Sequence, residues 1–261
     1  MIWFLLVPVV VYGGFCLWLF VRQRDILFLR QPPAPIAGDT HLEIPIESGF
    51  LHVTVLNPGQ ACAAIYFGGN AEAVNESIPE YRTWIGVWTL YLVHYRGFGH
   101  SDGVPSEAAI KADALRVFDA VRDQHQTLIT AGRSLGSGVA LYLASARPID
   151  GLMIVSPYDS LARVAARHYP WFPVSWLMKD PFHMIESAKT VTCPTLVLFA
   201  EADDVIPPHH TQTLLKALHA AQVEVHAFAN HNHQSISEDA RYIPTFQAFM
   251  ARFETPVQQA G

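Results

Sequence analysis

Residues 128 to 139 read Leu-Ile-Thr-Ala-Gly-Arg-Ser-Leu-Gly-Ser-Gly-Val, and no other stretch of the chain constrains its fold as tightly. A short apolar run stops at Gly132, Ser134 stands between Gly132 and Gly136, and an Ala/Leu-rich helical pattern follows. A Gly-x-Ser-x-Gly set between strand and helix predicts a turn so tight that the serine backbone is strained. Side chains two positions either side would collide with the neighbouring strand and helix. The turn lifts the Ser134 hydroxyl above the sheet edge, with the Leu135 N–H at the start of the helix facing any oxyanion that develops there.

Around this turn, strand-like and helix-like segments alternate. Leu42–Ile46 and Phe50–Leu56 read as strands flanking Glu47-Ser48-Gly49, an antiparallel pair at the sheet edge. Further strands are expected at Ala63–Phe67, Val87–His94, residues 127–131, Leu152–Val155, Thr195–Ala200 and Val223–Ala227. Helices are expected at Val74–Trp84, from Glu107 through Val121 with Ser106 as N-cap, and at Ser134–Ala146, His209–Ala220 and Glu238–Phe253. Residues 157–190 read as irregular. This βα alternation predicts an α/β fold, a mostly parallel central sheet with helices on both faces. In that architecture reactive groups collect at the carboxyl ends of the strands.

Two such ends carry chemistry besides the Ser134 turn. The strand Thr195–Ala200 runs into Glu201-Ala202-Asp203-Asp204, and the strand Val223–Ala227 runs into Phe228-Ala229-Asn230-His231-Asn232-His233. The chain order is serine, aspartate, histidine. An imidazole that takes the hydroxyl proton turns serine into a nucleophile, and a carboxylate fixes the imidazole's tautomer and stabilises its charged form. Asp203 and Asp204 both suit the carboxylate, and His231 and His233 both suit the base. After Ala63–Phe67 comes Gly68-Gly69-Asn70-Ala71, whose glycines allow close approach and whose Asn70 N–H is a second candidate oxyanion donor.

Composition limits the rest. With 261 residues, 51% of them hydrophobic, the chain holds one sizeable core, and a net charge of −6 offers no basic footprint for nucleic acid. Cys16, Cys62 and Cys193 are too few and scattered for a disulfide framework and read as buried thiols. Residues 1–21 carry no charged side chain or histidine, and at helical rise they reach roughly 30 Å, the thickness of a bilayer core. A cleaved signal peptide would need a basic start and a small-residue cleavage site, both absent. Residues 1–21 are therefore expected to be a transmembrane helix, with 22–40 a proline-stiffened linker, 41–254 the catalytic domain and 255–261 a C-terminal tail. Arg22, Arg24 and Arg30 lie only on the C-terminal side, so the expected location is a single-pass membrane protein with its domain facing the cytoplasm.

These segments resemble the α/β-hydrolase fold, and more narrowly its Bem46-like branch, related to the ABHD13 and ABHD17 proteins. The resemblance covers residues 25–253 and rests on Tyr66–Ala71, Tyr95–Gly103, Gly132–Gly136, Ser156-Pro157-Tyr158, Cys193-Pro194 and Asp203–Pro208. It implies Ser134 as nucleophile, Asp203 as acid and His233 as base. Two positions depart from the branch. Gly68-Gly69-Asn70-Ala71 stands where it usually has His-Gly-Asn-Ala, and His231-Asn232-His233 where it usually has Gly-Thr-His. The loop Tyr95–Gly103 reads as a set of tight turns, with Arg96 within reach of a carboxylate of the same loop.

The expected activity is that of a membrane-anchored serine hydrolase acting on an ester or thioester through an acyl-enzyme, with no metal or organic cofactor implied. Between Ser156 and Lys189 the chain has room only for a small cap. Its aromatics, Tyr158, Tyr169, Trp171, Phe172, Trp176 and Phe182, suit either a lipophilic acyl substrate or plain packing on the sheet. Two rivals stand beside this. One is a metal-dependent hydrolase built on His209, His210, His226, His231 and His233 with Asp203 and Asp204, although no His-Glu-x-x-His signature exists. The other is a membrane-tethered, non-catalytic binding protein on the same scaffold.

Overall fold

The structure, a computed structural model, describes residues 2–35, 38–219 and 222–254, with side chains from Val7 onward. The expected tail 255–261 and the expected helix end at Ala220 lie outside the described residues. A helix α1 (Ile2–Leu27) leads into strands β1 (Thr40–Ile46), β2 (Gly49–Leu56) and β3 (Cys62–Phe67). Then come α2 (Ile78–Trp84), β4 (Thr89–Val93), α3 (Glu107–Val121), β5 (Thr127–Arg133), α4 (Leu135–Ala146) and β6 (Gly151–Val155). Three short helices, α5 (Leu161–His168), α6 (Val174–Leu177) and α7 (Ile185–Thr190), occupy the segment expected to be irregular. The chain continues through β7 (Thr195–Ala200), α8 (Pro208–Leu215), β8 (Val223–Phe228) and α9 (Tyr242–Met250).

The eight strands form one sheet in the order β1-β2-β4-β3-β5-β6-β7-β8. β2 runs antiparallel to both neighbours, and the strands from β4 across to β8 are mutually parallel. The inner parallel strands are apolar on both faces because helices cover both, whereas the edge strand β8 is largely exposed. Within β6, Leu152 and Ile154 join the core under α3 and α4, while Met153 and Val155 join the core under α2 and α9. From β3 the chain steps to β4 on one side, then returns to place β5 on the other. This reversal opens a crevice at the carboxyl ends of β3 and β5, where Phe67 pairs with Gly132. The expected architecture is therefore present, with the Gly68–Asn70 and Ser134 turns side by side at its switch point.

The N-terminus departs from expectation. Among the described residues no helix is long and apolar enough to cross a membrane. The expected transmembrane anchor, membrane partner and single-pass location with a cytoplasmic domain are corrected accordingly. α1 continues past residue 21 to Leu27, and its last turns are tied to the domain. Gln23 Nε2 donates to the Leu177 carbonyl at 3.1 Å, Gln23 Oε1 accepts from the Lys179 amide at 2.6 Å, and Arg24 Nε donates to Asp180 Oδ2 at 2.7 Å. The other oxygen of Asp180 accepts from the Glu107 amide, the first of α3, at 2.8 Å. The three cysteines are free thiols and, against expectation, each is only half-buried.

Candidate active site

The Ser134 turn is built as its sequence requires. Ser134 has φ 52° and ψ −118°, a region that L-residues seldom adopt. A Cβ at Gly136 would stand 1.9 Å from the Phe67 carbonyl oxygen, and one at Gly132 would stand 2.1 Å from the Gly136 carbonyl oxygen. Neither position has room for a side chain. α4 begins at Leu135, so the Leu135 N–H has no intrahelical acceptor and points out of the helix's positive end.

The chosen aspartate and histidine meet this serine. His233 Nδ1 lies 2.8 Å from Asp203 Oδ2, and His233 Nε2 lies 3.1 Å from Ser134 Oγ. The Asp203 side chain is 1% exposed and that of His233 is 12% exposed, so solvent reaches the serine end of the chain and not the carboxylate end. Burial alone would raise the Asp203 carboxyl. The His233 imidazole, the Ile206 amide and the Ser156 hydroxyl together outweigh it and hold the group below the usual carboxylate range. The amides of Val205 and Ile206 donate to Asp203 Oδ1 at 3.0 and 2.7 Å, a turn fixed by the Pro207-Pro208 exit. Asp204 is exposed and takes no part, and His231 pairs with Asp239 at 3.4 Å.

The loop after β3 is fixed from several sides. The Asn70 side chain is bonded at both ends: Nδ2 donates to the Leu27 carbonyl at 2.6 Å and Oδ1 accepts from the Leu29 amide at 3.1 Å. Its backbone amide has no acceptor among the described residues. Next to it, the Gly69 amide donates to Glu72 Oε2 at 2.6 Å, and the Tyr95 hydroxyl donates to the Gly68 carbonyl at 2.8 Å. Glu72 also accepts from the Tyr66 and Tyr81 hydroxyls.

Three contributors lay beyond sequence reasoning. Ser156, at φ 46° just past β6, donates its hydroxyl to Asp203 Oδ2 at 2.9 Å. Arg133 donates to the His233 carbonyl at 2.8 Å and so anchors the histidine loop to the serine turn. Glu72 braces the loop that carries Asn70. Ser156 and Arg133 fall within the Ser-Pro-Tyr and Gly-Arg-Ser-Leu-Gly motifs, which gave a signal without a role; Glu72 had none. Arg96 departs from expectation, because its partners lie outside its own loop: Asp113 on α3 at 2.6 Å and Glu47 at 3.1 Å. Asp102 of that loop instead accepts from the Phe50 amide at 2.9 Å.

The histidines invoked for a metal centre are dispersed. His210 pairs with Asp159 and His226 with Glu224, and among the described residues no three His, Cys, Asp or Glu side chains are grouped to hold a metal ion. The cap aromatics do not act as one set. Tyr158 and Phe182 are core residues, Phe172 packs on Phe15 of α1 with ring centres 5.2 Å apart, and Trp171 and Trp176 face solvent.

Comparison with known proteins agrees with this architecture. Residues 152–248 match the dienelactone hydrolase family. An uncharacterised protein of Mycobacterium tuberculosis is 37% identical over 227 residues, which cover 79% of this chain and 79% of the relative. The lysophosphatidylserine lipase ABHD12 of Rattus norvegicus is 37% identical over 135 residues, 44% of this chain and 34% of the lipase, so the match spans about a third of that protein. Among solved structures, an esterase of Pyrococcus furiosus superimposes with a TM-score of 0.65 at 15% identity, covering 86% of this chain and 98% of the esterase, a likeness of fold.

Proposed function

This chain belongs to the α/β-hydrolase family, and on that premise we propose that it is a serine hydrolase cleaving an ester or thioester through an acyl-enzyme. The observation that carries the reading is the hydrogen-bond chain from Asp203 through His233 to Ser134, with links of 2.8 and 3.1 Å. Ser134 Oγ attacks the substrate carbonyl carbon while His233 Nε2 takes its proton. Asp203, ionised at neutral pH, holds the Nδ1–H tautomer and stabilises the imidazolium. The negative charge that develops on the carbonyl oxygen is received by the Leu135 and Asn70 amides. His233 then returns the proton to the leaving alcohol or thiol, whose bond to the carbonyl breaks. A water activated by the same imidazole cleaves the acyl-serine and restores the hydroxyl. Placement in the Bem46-like branch belongs to the same proposal and rests on Tyr95–Gly103, Gly132–Gly136 and Asp203–Pro208.

The test is Ser134→Ala assayed on p-nitrophenyl butyrate, beside labelling by a fluorophosphonate. Turnover is expected to fall by three orders of magnitude or more, roughly the scale of losing a triad member, and labelling is expected to vanish. Retained turnover by the alanine variant would refute the assignment.

A further inference from the structure

α1 does more than precede the domain. Six of its residues, Cys16, Leu19, Phe20, Gln23, Ile26 and Leu27, border one side of a cleft of about 230 Å³. Their spacing from Cys16 is three, four, seven, ten and eleven positions, which is a single stripe along a helix. The facing wall comes from the cap, chiefly Tyr169, Phe172 and Leu177, and Asn70 also lines the cleft.

Two features of the cleft say what it holds. Its bordering amides are already committed: Gln23 is bonded to Leu177 and Lys179, and the Asn70 side chain to Leu27 and Leu29. With those groups occupied, the walls recognise hydrocarbon and would leave a polar occupant poorly paired. The cleft also adjoins the chemistry. Asn70 adjoins Gly69, and a Cβ built on Gly69 would stand 3.8 Å from the Ser134 Cβ. A carbonyl held at Ser134 with its oxygen on the Asn70 amide therefore lies beside this cleft, which is within reach of its acyl chain.

We propose that α1 is the specificity wall of the enzyme, and that the cleft it closes takes the acyl chain of a medium-chain ester or thioester. This rests on the serine-hydrolase reading above. The size follows from volume: a cavity of about 150 Å³ accepts the six carbons of benzene, so 230 Å³ accommodates about nine. The width is set by α1 because Gln23 and Arg24 fix the helix against residues 177–180 of the cap. The same helix end is tied through Leu27 and Leu29 to the loop carrying Asn70, so chain binding and the oxyanion donor share one support.

The experiment measures kcat/KM for p-nitrophenyl butyrate and decanoate with the full chain. Wild type is expected to prefer decanoate. Leu19→Trp and, independently, Cys16→Phe fill the cleft, and each is expected to lower the decanoate-to-butyrate ratio on the order of tenfold, the loss of roughly two buried methylenes. Val10→Trp, on the solvent-facing side of the same helix, is expected to keep the wild-type ratio. Fluorophosphonate labelling of Ser134 reports that each variant is folded, and two filling variants guard against one failing to fold. An unchanged ratio in a labelled filling variant overturns the proposal, as does an equal fall in Val10→Trp. Turnover that survives Ser134→Ala would instead sink the serine-hydrolase reading, whatever the chain-length profile, so the two failures are distinguishable.

Discussion

Asp203 shows how much of the site rests on single atoms. Its Oδ2 accepts from both His233 and Ser156, and its Oδ1 from the Val205 and Ile206 amides. Ser156→Ala removes one hydrogen bond to a charged, buried acceptor, an interaction worth about 1.5 to 3 kcal/mol. The expected outcome is a fall in kcat/KM of about tenfold or more with an intact fold, checked by butyrate kinetics beside circular dichroism. Unchanged kinetics would show the bond to be idle. Ser134 was legible from its turn, and chain order and strand ends narrowed its partners to Asp203 or Asp204 and to His231 or His233, between which the family resemblance chose. Ser156 and Glu72 were not, because a hydroxyl or carboxylate in sequence does not say which buried group it faces.

At the scale of elements, the Ser134 turn works because β3, β5 and α4 approach one another over glycines. Gly136→Ala places a methyl group 1.9 Å from the Phe67 carbonyl oxygen, which is fixed in the sheet and cannot retreat. A loss of about 3 kcal/mol or more is expected, read as a fall in the urea midpoint; a midpoint like that of wild type would mean the turn is looser than its geometry. Strands were more legible than helices. The expected helix Glu238–Phe253 divides instead at Asp239, whose Oδ1 accepts from the Arg241 amide, and α9 starts at Tyr242. A continuous helix would have put Pro244 in its interior, whereas the observed start places it in the first turn, where no N–H is missed. Likewise α2 begins only at Ile78, with Pro79 in its first turn.

At the scale of the whole molecule, the side of the sheet beside β1 and β2 collects imidazoles. His94 is buried with its ring 5.0 Å from that of His52 and 6.5 Å from that of His100, and its Nε2 lies 3.0 Å from Thr54 Oγ1. Burial, then the neighbouring His52 and His100, push its pKa down to about 3. The unfolded chain, near the ordinary value of about 6.5, binds this proton first as pH falls. Stability is therefore full above about pH 6.5 and is lost progressively as pH drops toward 3, by a few kcal/mol in all. Urea midpoints taken from pH 7 down to pH 4 should fall steadily, and His94→Gln should flatten the slope. An equal slope in that variant would assign the acid sensitivity to other groups.

What the sequence determined by itself is local. The clash that demands glycine at 132 lies within the turn itself, against Gly136, and the apolar runs that mark the parallel strands operate within single segments. Both can be read without knowing where the chain goes next. Tertiary structure alone decided the rest. It brought His233 to a serine 99 positions away and an aspartate 30 positions away, while sending His231 to Asp239. It also laid the apolar N-terminal run against the cap as one wall of a cleft. Hydropathy records how much a segment avoids water, but which surface relieves that avoidance depends on atoms supplied by distant parts of the chain.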